Sequence, residues 1–413
     1  MIFVGQRKGL RSLGQKQKNS IRALDVRFAS DSGHKRAARP LPSCAKKPHW
    51  SAGGIWRARS RLRVLKRDFL YPDGQGDPGG QGEESMGTKL SLVQMIAAAL
   101  AAACCTSAAA AQGIGRLEIH AIPSVTVSNQ QFLTGNRYGS PVIVGGELRL
   151  PRATADNFPV VILIHGSSGI SAATDRWAQE LNSVGVAAFI LDAFTGRGII
   201  STNTDQSQLD SIAMIHDVYA ALGKLATHPR IDPARIAAMG FSKGAVPAIY
   251  SSNERFRTTY GPSNTQFAAH IGLYTPCNVT YRQDDKVANR PLRFFHGIAD
   301  DYVSIEPCRA YAKRLKEAGA DVALTEYPDA LHAYDNFTYA SSVSLPNAQT
   351  TRNCLIVEGD NGLLLNSKSN QPYSLGDACV EKGPHIGYNE AAHTATVEAV
   401  KQFLTSRFNL ASK

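Results

Sequence analysis

The chain has 413 residues and a formal net charge of +11, from 45 Lys and Arg against 34 Asp and Glu. Residues 1–85 hold 18 basic and 7 acidic side chains, and residues 86–413 hold 27 of each. Because the excess charge lies wholly in the first 85 residues, charge gives no support for nucleic-acid binding by the rest of the chain.

Residues 1–85 lack sustained apolar periodicity and end in a Gly-rich run over residues 74–82. A basic arm of this kind binds nucleic acid or an anionic membrane, whereas a disordered or non-native extension needs no partner. We interpret residues 1–85 as a basic extension upstream of a misplaced start, because a targeting signal follows it.

A secretory signal peptide is predicted over residues 86–111. A short basic segment (86–89) precedes an apolar segment (90–103), and an Ala-x-Ala cleavage site lies before Gln112. The apolar segment is too short and too rich in alanine for a membrane span. We therefore expect translation to begin at Met86 and the mature protein to be periplasmic or extracellular, free of the membrane after cleavage. A lipoprotein anchor at Cys104 is the alternative.

Residues 112–413 are long enough for one large α/β domain. Residues 117–122 and 141–150 resemble antiparallel edge strands, and residues 160–164 form the apolar run typical of a central parallel strand. Strand and helix patterns alternate afterwards, which predicts a mostly parallel sheet with helices on both faces. Apolar stripes on helices over residues 209–225 and 391–408 are interpreted as core.

Residues 240–244 read Gly-Phe-Ser-Lys-Gly and lie between a short apolar strand (236–239) and a small-residue helix (245–250). This order is the nucleophile elbow of α/β-hydrolases, in which glycines allow a strained turn to project the serine. Ser242 is therefore the candidate nucleophile. An ordinary Gly-rich turn is the alternative interpretation.

A serine nucleophile needs a base and an orienting acid, which follow in the chain order acid and then histidine. Asp300 follows an apolar strand (291–296) in a Gly-x-x-Asp-x-x-Val pattern, with Asp301 as the second choice. His332 follows the next β-prone run (322–327) and is the candidate general base.

An oxyanion hole needs backbone N–H donors beside the nucleophile. The central strand opens into His-Gly-Ser-Ser-Gly over residues 165–169. We assign one donor to the amide of Ser167, with Ser168 as the alternative, and the other to the amide of Lys243.

These motifs resemble the dienelactone hydrolase family from about residue 142 to residue 404, which implies a hydrolase acting on an ester or a lactone. The founding enzymes have a cysteine nucleophile where this chain has Ser242, and Gly166 replaces the family's glutamate. The segment 192–198 adds to the likeness, and Arg197 within it is a candidate for orienting an anionic substrate group. An ion pair with Asp192 is the alternative role.

Four cysteines remain after signal cleavage, and an even number in an oxidising compartment suggests disulfides. Of the three possible pairings we favour Cys277–Cys308 and Cys354–Cys379, which join near neighbours. Four free buried thiols are the alternative. The His and Cys spacings do not fit zinc, so we expect neither a metal nor a cofactor.

An insertion of about residues 338–390 separates His332 from the last helix. Residues 354–365 read as a hairpin with an Asp-Asn-Gly turn. We expect a disulfide-pinned flap that shapes substrate access, with a remote decoration as the alternative.

The sequence as a whole predicts an exported serine hydrolase that cleaves a carboxylic ester or lactone through an acyl-enzyme. Two alternatives remain, namely a non-catalytic ligand-binding protein with the same fold and a peptidase-like hydrolase.

Overall fold

The structure is a computed structural model that describes residues 114–152 and 157–410. The predicted extension (1–85), the signal peptide (86–111) and Cys104 lie outside the described residues. Among the described residues, no helix has the length and apolar character needed to cross a bilayer.

An eight-stranded sheet with the order β1-β2-β4-β3-β5-β6-β8-β9 organises the domain. Its strands are β1 (Ile114–Thr126), β2 (Ser140–Pro151), β3 (Phe158–Ile164), β4 (Ala187–Asp192), β5 (Ile231–Phe241), β6 (Ala269–Leu273), β8 (Leu292–Gly297) and β9 (Val322–Tyr327).

Strands β1 and β2 form an antiparallel edge, and every pair from β4 to β9 along the sheet is parallel. All seven residues of β3 are buried, because helices cover both faces of the sheet. The predicted fold class, an α/β-hydrolase with a mostly parallel sheet, is confirmed.

The helices are α1 (Asn129–Leu133), α2 (Ala172–Ser183), α3 (Ile215–Ala226), α4 (Ala245–Tyr250), α5 (Glu254–Tyr260), α6 (Glu306–Glu317) and α7 (Glu390–Arg407). The helix expected over residues 209–225 begins later than predicted. Leu209 is extended (φ −154°), and a 3₁₀ turn over Ile212–Met214 leads into α3. The Asp210 carboxylate accepts a hydrogen bond from the backbone N–H of Asn129 at 2.7 Å, which holds this segment outside the helix.

The insertion folds into short antiparallel pairs that pack on the domain. They are β10 (Val343–Ser344) with β15 (His385–Ile386), β11 (Gln349–Thr350) with β14 (Glu381–Lys382), and the hairpin of β12 (Ile356–Glu358) with β13 (Leu364–Asn366). A third strand, β7 (Val279–Thr280), pairs with β12 in parallel and extends this small sheet.

A buried ion pair holds the insertion against the domain. The Glu358 carboxylate is fully buried and accepts two hydrogen bonds from the guanidinium of Arg255, at 2.7 and 2.6 Å. It also accepts the backbone N–H of Arg282 at 2.9 Å. The structure contains the disulfides Cys277–Cys308 and Cys354–Cys379, the pairing that we favoured from the sequence. The hairpin is therefore part of the packed domain.

Candidate active site

Ser242 lies at the sharp turn between β5 and α4, at the carboxyl edge of the parallel sheet. It begins a 3₁₀ turn (Ser242–Gly244) and has a φ of 52°, in the left-handed region that serine rarely adopts. A Cβ on Gly240 would lie 2.0 Å from the carbonyl oxygen of Gly244. The two glycines are therefore needed for the close approach of backbone that produces this strained turn.

Ser242, His332 and Asp300 form a continuous hydrogen-bonded chain. His332 Nε2 lies 2.9 Å from Ser242 Oγ, and His332 Nδ1 lies 2.8 Å from Asp300 Oδ2. The other Asp300 oxygen accepts the backbone N–H groups of Tyr302 and Val303 at 2.9 and 2.8 Å. This arrangement fixes the imidazole with its Nε2 facing the serine, which is the geometry needed to remove the serine proton.

The Asp300 carboxylate remains ionised inside the protein. Burial alone would raise the pKa of this carboxyl, but the charge and hydrogen bonds of His332 and His296 lower the pKa well below its ordinary value. A buried negative charge beside Nδ1 stabilises a proton that His332 accepts at Nε2.

Asp301 has a different partner. Its two carboxylate oxygens accept the backbone N–H and the ring Nδ1–H of His385, each at 2.8 Å. This second Asp–His pair ties the acid loop to the insertion. The structure therefore brings Asp300, and not Asp301, to His332.

His332 is held in position by contacts that could not be predicted from the sequence. The rings of Tyr274 and Tyr302 lie 4.6 and 4.7 Å from the imidazole, measured between centroids. The backbone N–H of Gly387, in the insertion, donates to the carbonyl of His332 at 3.1 Å. The insertion thus helps to hold the base in place.

The strand-end loop after β3 lies beside the elbow. The buried ring of His165 bonds to Gly166 O through Nδ1 at 2.9 Å and accepts the backbone N–H of Ala193 at Nε2 at 3.2 Å. Burial lowers the pKa of His165, so the ring is neutral and braces the loop. A Cβ on Gly166 would lie 3.1 Å from the carbonyl oxygen of Phe241 and 3.3 Å from Ser242 Cβ, so this loop packs tightly against the elbow.

The residues of the two predicted oxyanion donors, Ser167 and Lys243, line the same cavity as Ser242. Ser167 follows the braced loop residue, and Lys243 is the second residue of the 3₁₀ turn, where backbone N–H groups lack a partner within the turn. Ser168, the alternative to Ser167, is exposed, and its hydroxyl accepts a hydrogen bond from Asn203 at 2.9 Å. The amides of Ser167 and Lys243 remain the predicted donors.

The expected role of Arg197 is wrong. Its buried guanidinium donates to both oxygens of Asp217, at 2.8 and 3.0 Å, and to the hydroxyl of Thr126 at 2.8 Å. Asp192, the alternative partner, instead accepts the backbone N–H groups two and three residues further on. Arg197 ties α3 to β1 and lines neither cavity at the site.

Two cavities meet at Ser242, and Ser167 and Tyr302 also line both of them. The large cavity has a volume of about 380 Å³, and its mainly apolar wall includes Ile212, Val246, Val279, Tyr281, Leu363, Leu364 and Tyr373. The small cavity has a volume of about 90 Å³, and its wall includes Gly166, Tyr274, His332, Tyr339, Leu345 and Ile386. Both walls contain insertion residues, as expected for a segment that shapes substrate access.

The side chain of Lys243 is buried in the wall of the large cavity. Its Nζ donates to the carbonyl and side-chain oxygens of Gln206 at 3.4 and 3.2 Å. Burial lowers the pKa of Lys243 to about 8, although the carboxylate charges of Asp210 and Asp205 raise it in part. The sequence assigned a role only to its backbone amide.

One group of residues in the described part of the chain has the spacing of metal ligands, namely Glu118, His120 and His228. His228 Nδ1 accepts the backbone N–H of Arg230 at 3.2 Å, so the ring proton lies on Nε2. That nitrogen donates to Glu118 at 3.0 Å and has no lone pair to offer. The group is a hydrogen-bonded cluster between β1 and the turn after α3.

The sequence model of the dienelactone hydrolase family matches residues 146–408, more than half of the chain. Comparison with curated proteins gives no match.

Solved structures resemble this chain at low sequence identity. A dienelactone hydrolase-like promiscuous phosphotriesterase from metagenomic libraries is 13% identical, with a TM-score of 0.45 over 71% of this chain and 99% of that one. A thermophilic esterase from the Planctomycetes species Thermogutta terrifontis is 18% identical, with a TM-score of 0.44 over 66% of this chain and 92% of that one. A putative dienelactone hydrolase from Klebsiella pneumoniae is 15% identical, with a TM-score of 0.41 over 54% of this chain and 89% of that one.

The family model covers residues 146–408 and so shows the family. The chain belongs to the dienelactone hydrolase family and is an ester hydrolase.

Proposed function

We propose that this protein is an exported serine hydrolase that cleaves a carboxylic ester or lactone through Ser242, His332 and Asp300. The observation that carries the proposal is the hydrogen-bonded chain from Ser242 Oγ through His332 to the ionised Asp300, at 2.9 and 2.8 Å. Acyl transfer needs a nucleophile, a general base that accepts its proton and donors that stabilise the oxyanion. Ser242, His332 and the two backbone N–H groups are suited to these roles.

In the first half of the reaction, Ser242 Oγ forms a bond to the carbonyl carbon and its proton passes to His332 Nε2. The backbone N–H groups of Ser167 and Lys243 donate to the oxyanion, and Asp300 stabilises the imidazolium. The bond from carbon to the alcohol oxygen then breaks as His332 returns the proton to that oxygen. The products of this half are the free alcohol and an acyl ester of Ser242.

In the second half, water gives a proton to His332 Nε2 and bonds to the acyl carbon. The bond between that carbon and Ser242 Oγ breaks, and the serine oxygen takes the proton back. The acid leaves and the enzyme returns to its starting state. His332 thus acts as base and as acid in each half, from one position.

The test is hydrolysis of p-nitrophenyl acetate and butyrate by the parent and by Ser242→Ala, with circular dichroism to show that both are folded. We expect the parent to be at least about a hundredfold faster, as is usual when a triad nucleophile is removed. Equal and negligible rates would reject the esterase and favour the alternative, a ligand-binding protein with the same fold.

Export has separate support. Two disulfides in the described domain suit an oxidising compartment, and residues 86–111 have the pattern of a signal peptide. Sequencing the N-terminus of the native protein should give Gln112 as the first residue. A native N-terminus upstream of Met86 would contradict cleavage of a signal peptide at this position. A lipid on Cys104 would show that the mature protein is anchored to a membrane.

A further inference from the structure

The two cavities that meet at Ser242 differ in size and in their access to the catalytic base. The large cavity, of about 380 Å³, has roughly four times the volume of the small one, of about 90 Å³. His332 lines the small cavity and is not part of the described wall of the large one. The carbonyl carbon of an ester held at Ser242 carries an acyl group and an alkoxy group. Each of these two groups therefore enters a different cavity.

Proton transfer decides which part enters which cavity. His332 must return its proton to the alcohol oxygen as that oxygen leaves, so the alcohol lies within hydrogen-bond reach of Nε2. That nitrogen faces Ser242 at 2.9 Å, on the side of the small cavity. The alcohol therefore occupies the small cavity, and the acyl group extends into the large cavity.

We propose that this hydrolase is selective for esters that join a bulky, largely apolar acid to a small alcohol such as methanol or ethanol. The proposal rests on the proposed function of Ser242 and adds the size and the place of each part of the substrate.

The volumes set the limits of size. The small cavity has about a quarter of the volume of the large one, so it suits a methoxy or ethoxy group better than an aromatic alcohol. The large cavity, at about 380 Å³, lies within the range of pockets that bind small molecules, about 300–1,000 Å³. Its wall is mainly apolar, and its charged residues are Lys243, Asp210 and Arg352.

The insertion forms part of the wall of the small cavity. Tyr339, Leu345 and Ile386 pack with Tyr302 and with one another over the acid loop. Ile386 forms a parallel bridge with His332, so this cover is attached to the base itself. The size limit on the alcohol is therefore built into the insertion.

The test compares two isomers of the same formula on the full chain, methyl 3-phenylpropanoate and 2-phenylethyl acetate. The first has a bulky acid and a small alcohol, and the second has the reverse. We expect kcat/KM for the first to be at least about tenfold higher, the discrimination that pocket size alone typically gives. Equal values, or a preference for 2-phenylethyl acetate, would overturn the proposal.

Leu345→Ala should open the small cavity and lower this preference at least about threefold, by raising kcat/KM for 2-phenylethyl acetate. The matched control is Leu355→Ala, a leucine in the same insertion that is 51% exposed and lines neither cavity, and it should leave the ratio unchanged. An equal change in both variants would overturn the assignment of the small cavity. If Leu345→Ala does not fold, the comparison of isomers on the parent still decides.

Labelling of Ser242 by a fluorophosphonate is measured in parallel. Labelling without a preference between the isomers rejects the size assignment alone. Failure of labelling rejects the proposed function, and with it this inference.

Discussion

Adding one methyl group at Gly244 tests whether the elbow has the close-packed geometry described here. A Cβ at Gly244 would lie 2.2 Å from the carbonyl oxygen of Ile164 and 2.3 Å from that of His165, where ordinary contacts begin at 3.4 Å. Both oxygens belong to backbone at the end of β3, which pairs with a strand on each side. The clash therefore cannot be relieved by rotating a side chain.

The size of the effect follows from this clash. Overpacking a core costs about 1–3 kcal/mol, and we expect Gly244→Ala at the upper end, about 3 kcal/mol, because two backbone atoms must each move by about 1 Å. This corresponds to a fall in Tm of roughly 5 °C for a domain of about 300 residues. The same movement shifts the oxyanion loop relative to Ser242, so kcat/KM should fall about a hundredfold.

The control is Gly223→Ala, in the interior of α3. A Cβ there would meet only Pro262 Cγ, at an ordinary distance of 3.8 Å. Replacing a helical glycine by alanine should stabilise the protein by about 0.5–1 kcal/mol. Urea denaturation gives the free energy of unfolding of each variant, and p-nitrophenyl butyrate gives kcat/KM. If Gly244→Ala is as stable and as active as the parent, the described elbow is incorrect.

Three further perturbations have defined outcomes. Asp300→Asn removes the charge that orients His332 and should lower kcat for p-nitrophenyl butyrate by on the order of 10³–10⁴-fold, and a kcat near that of the parent would reject Asp300 as the acid. Burial lowers the pKa of Lys243 to about 8, below the value of about 10.4 in an unfolded chain, so the unfolded state binds more protons between these pH values. The free energy of unfolding of the parent should therefore rise from pH 8 to pH 10 relative to that of Lys243→Met in urea melts, and a constant difference between the two would contradict the burial of an ammonium. Replacing Cys354 and Cys379 together by alanine should cost about 2–4 kcal/mol of stability and raise KM more for p-nitrophenyl butyrate than for the acetate, whereas an unchanged KM ratio would show that the hairpin does not shape the acyl site.

The sequence was informative wherever local pattern and chain order carry the structure. The continuous apolar run of β3 and the turn at Ser242 follow from rules for buried parallel strands and elbows, and they placed the sheet and the nucleophile. Chain order then placed Asp300 and His332 at the same edge. These features need only the residues that lie next to them in sequence.

Features that depend on distant packing were missed. Nothing near Arg197 in sequence marks Asp217 as its partner, because the pair forms where α3 packs against β1. The late start of α3 depends in part on the bond from Asn129 to Asp210, which lie 81 residues apart. Packing of the insertion over the site forms the walls of the two cavities. It also brings the backbone N–H of Gly387 to the carbonyl of His332. Cavity volumes in particular cannot be read from any local pattern.

The most direct test of the central claim is to identify the residue that a fluorophosphonate modifies. The full chain is treated with the probe, digested and mapped by mass spectrometry, with Ser242→Ala and His332→Ala alongside. We expect one adduct on Ser242 in the parent, none in Ser242→Ala and much slower labelling in His332→Ala. An adduct on another residue, or equal labelling of the parent and His332→Ala, would contradict it.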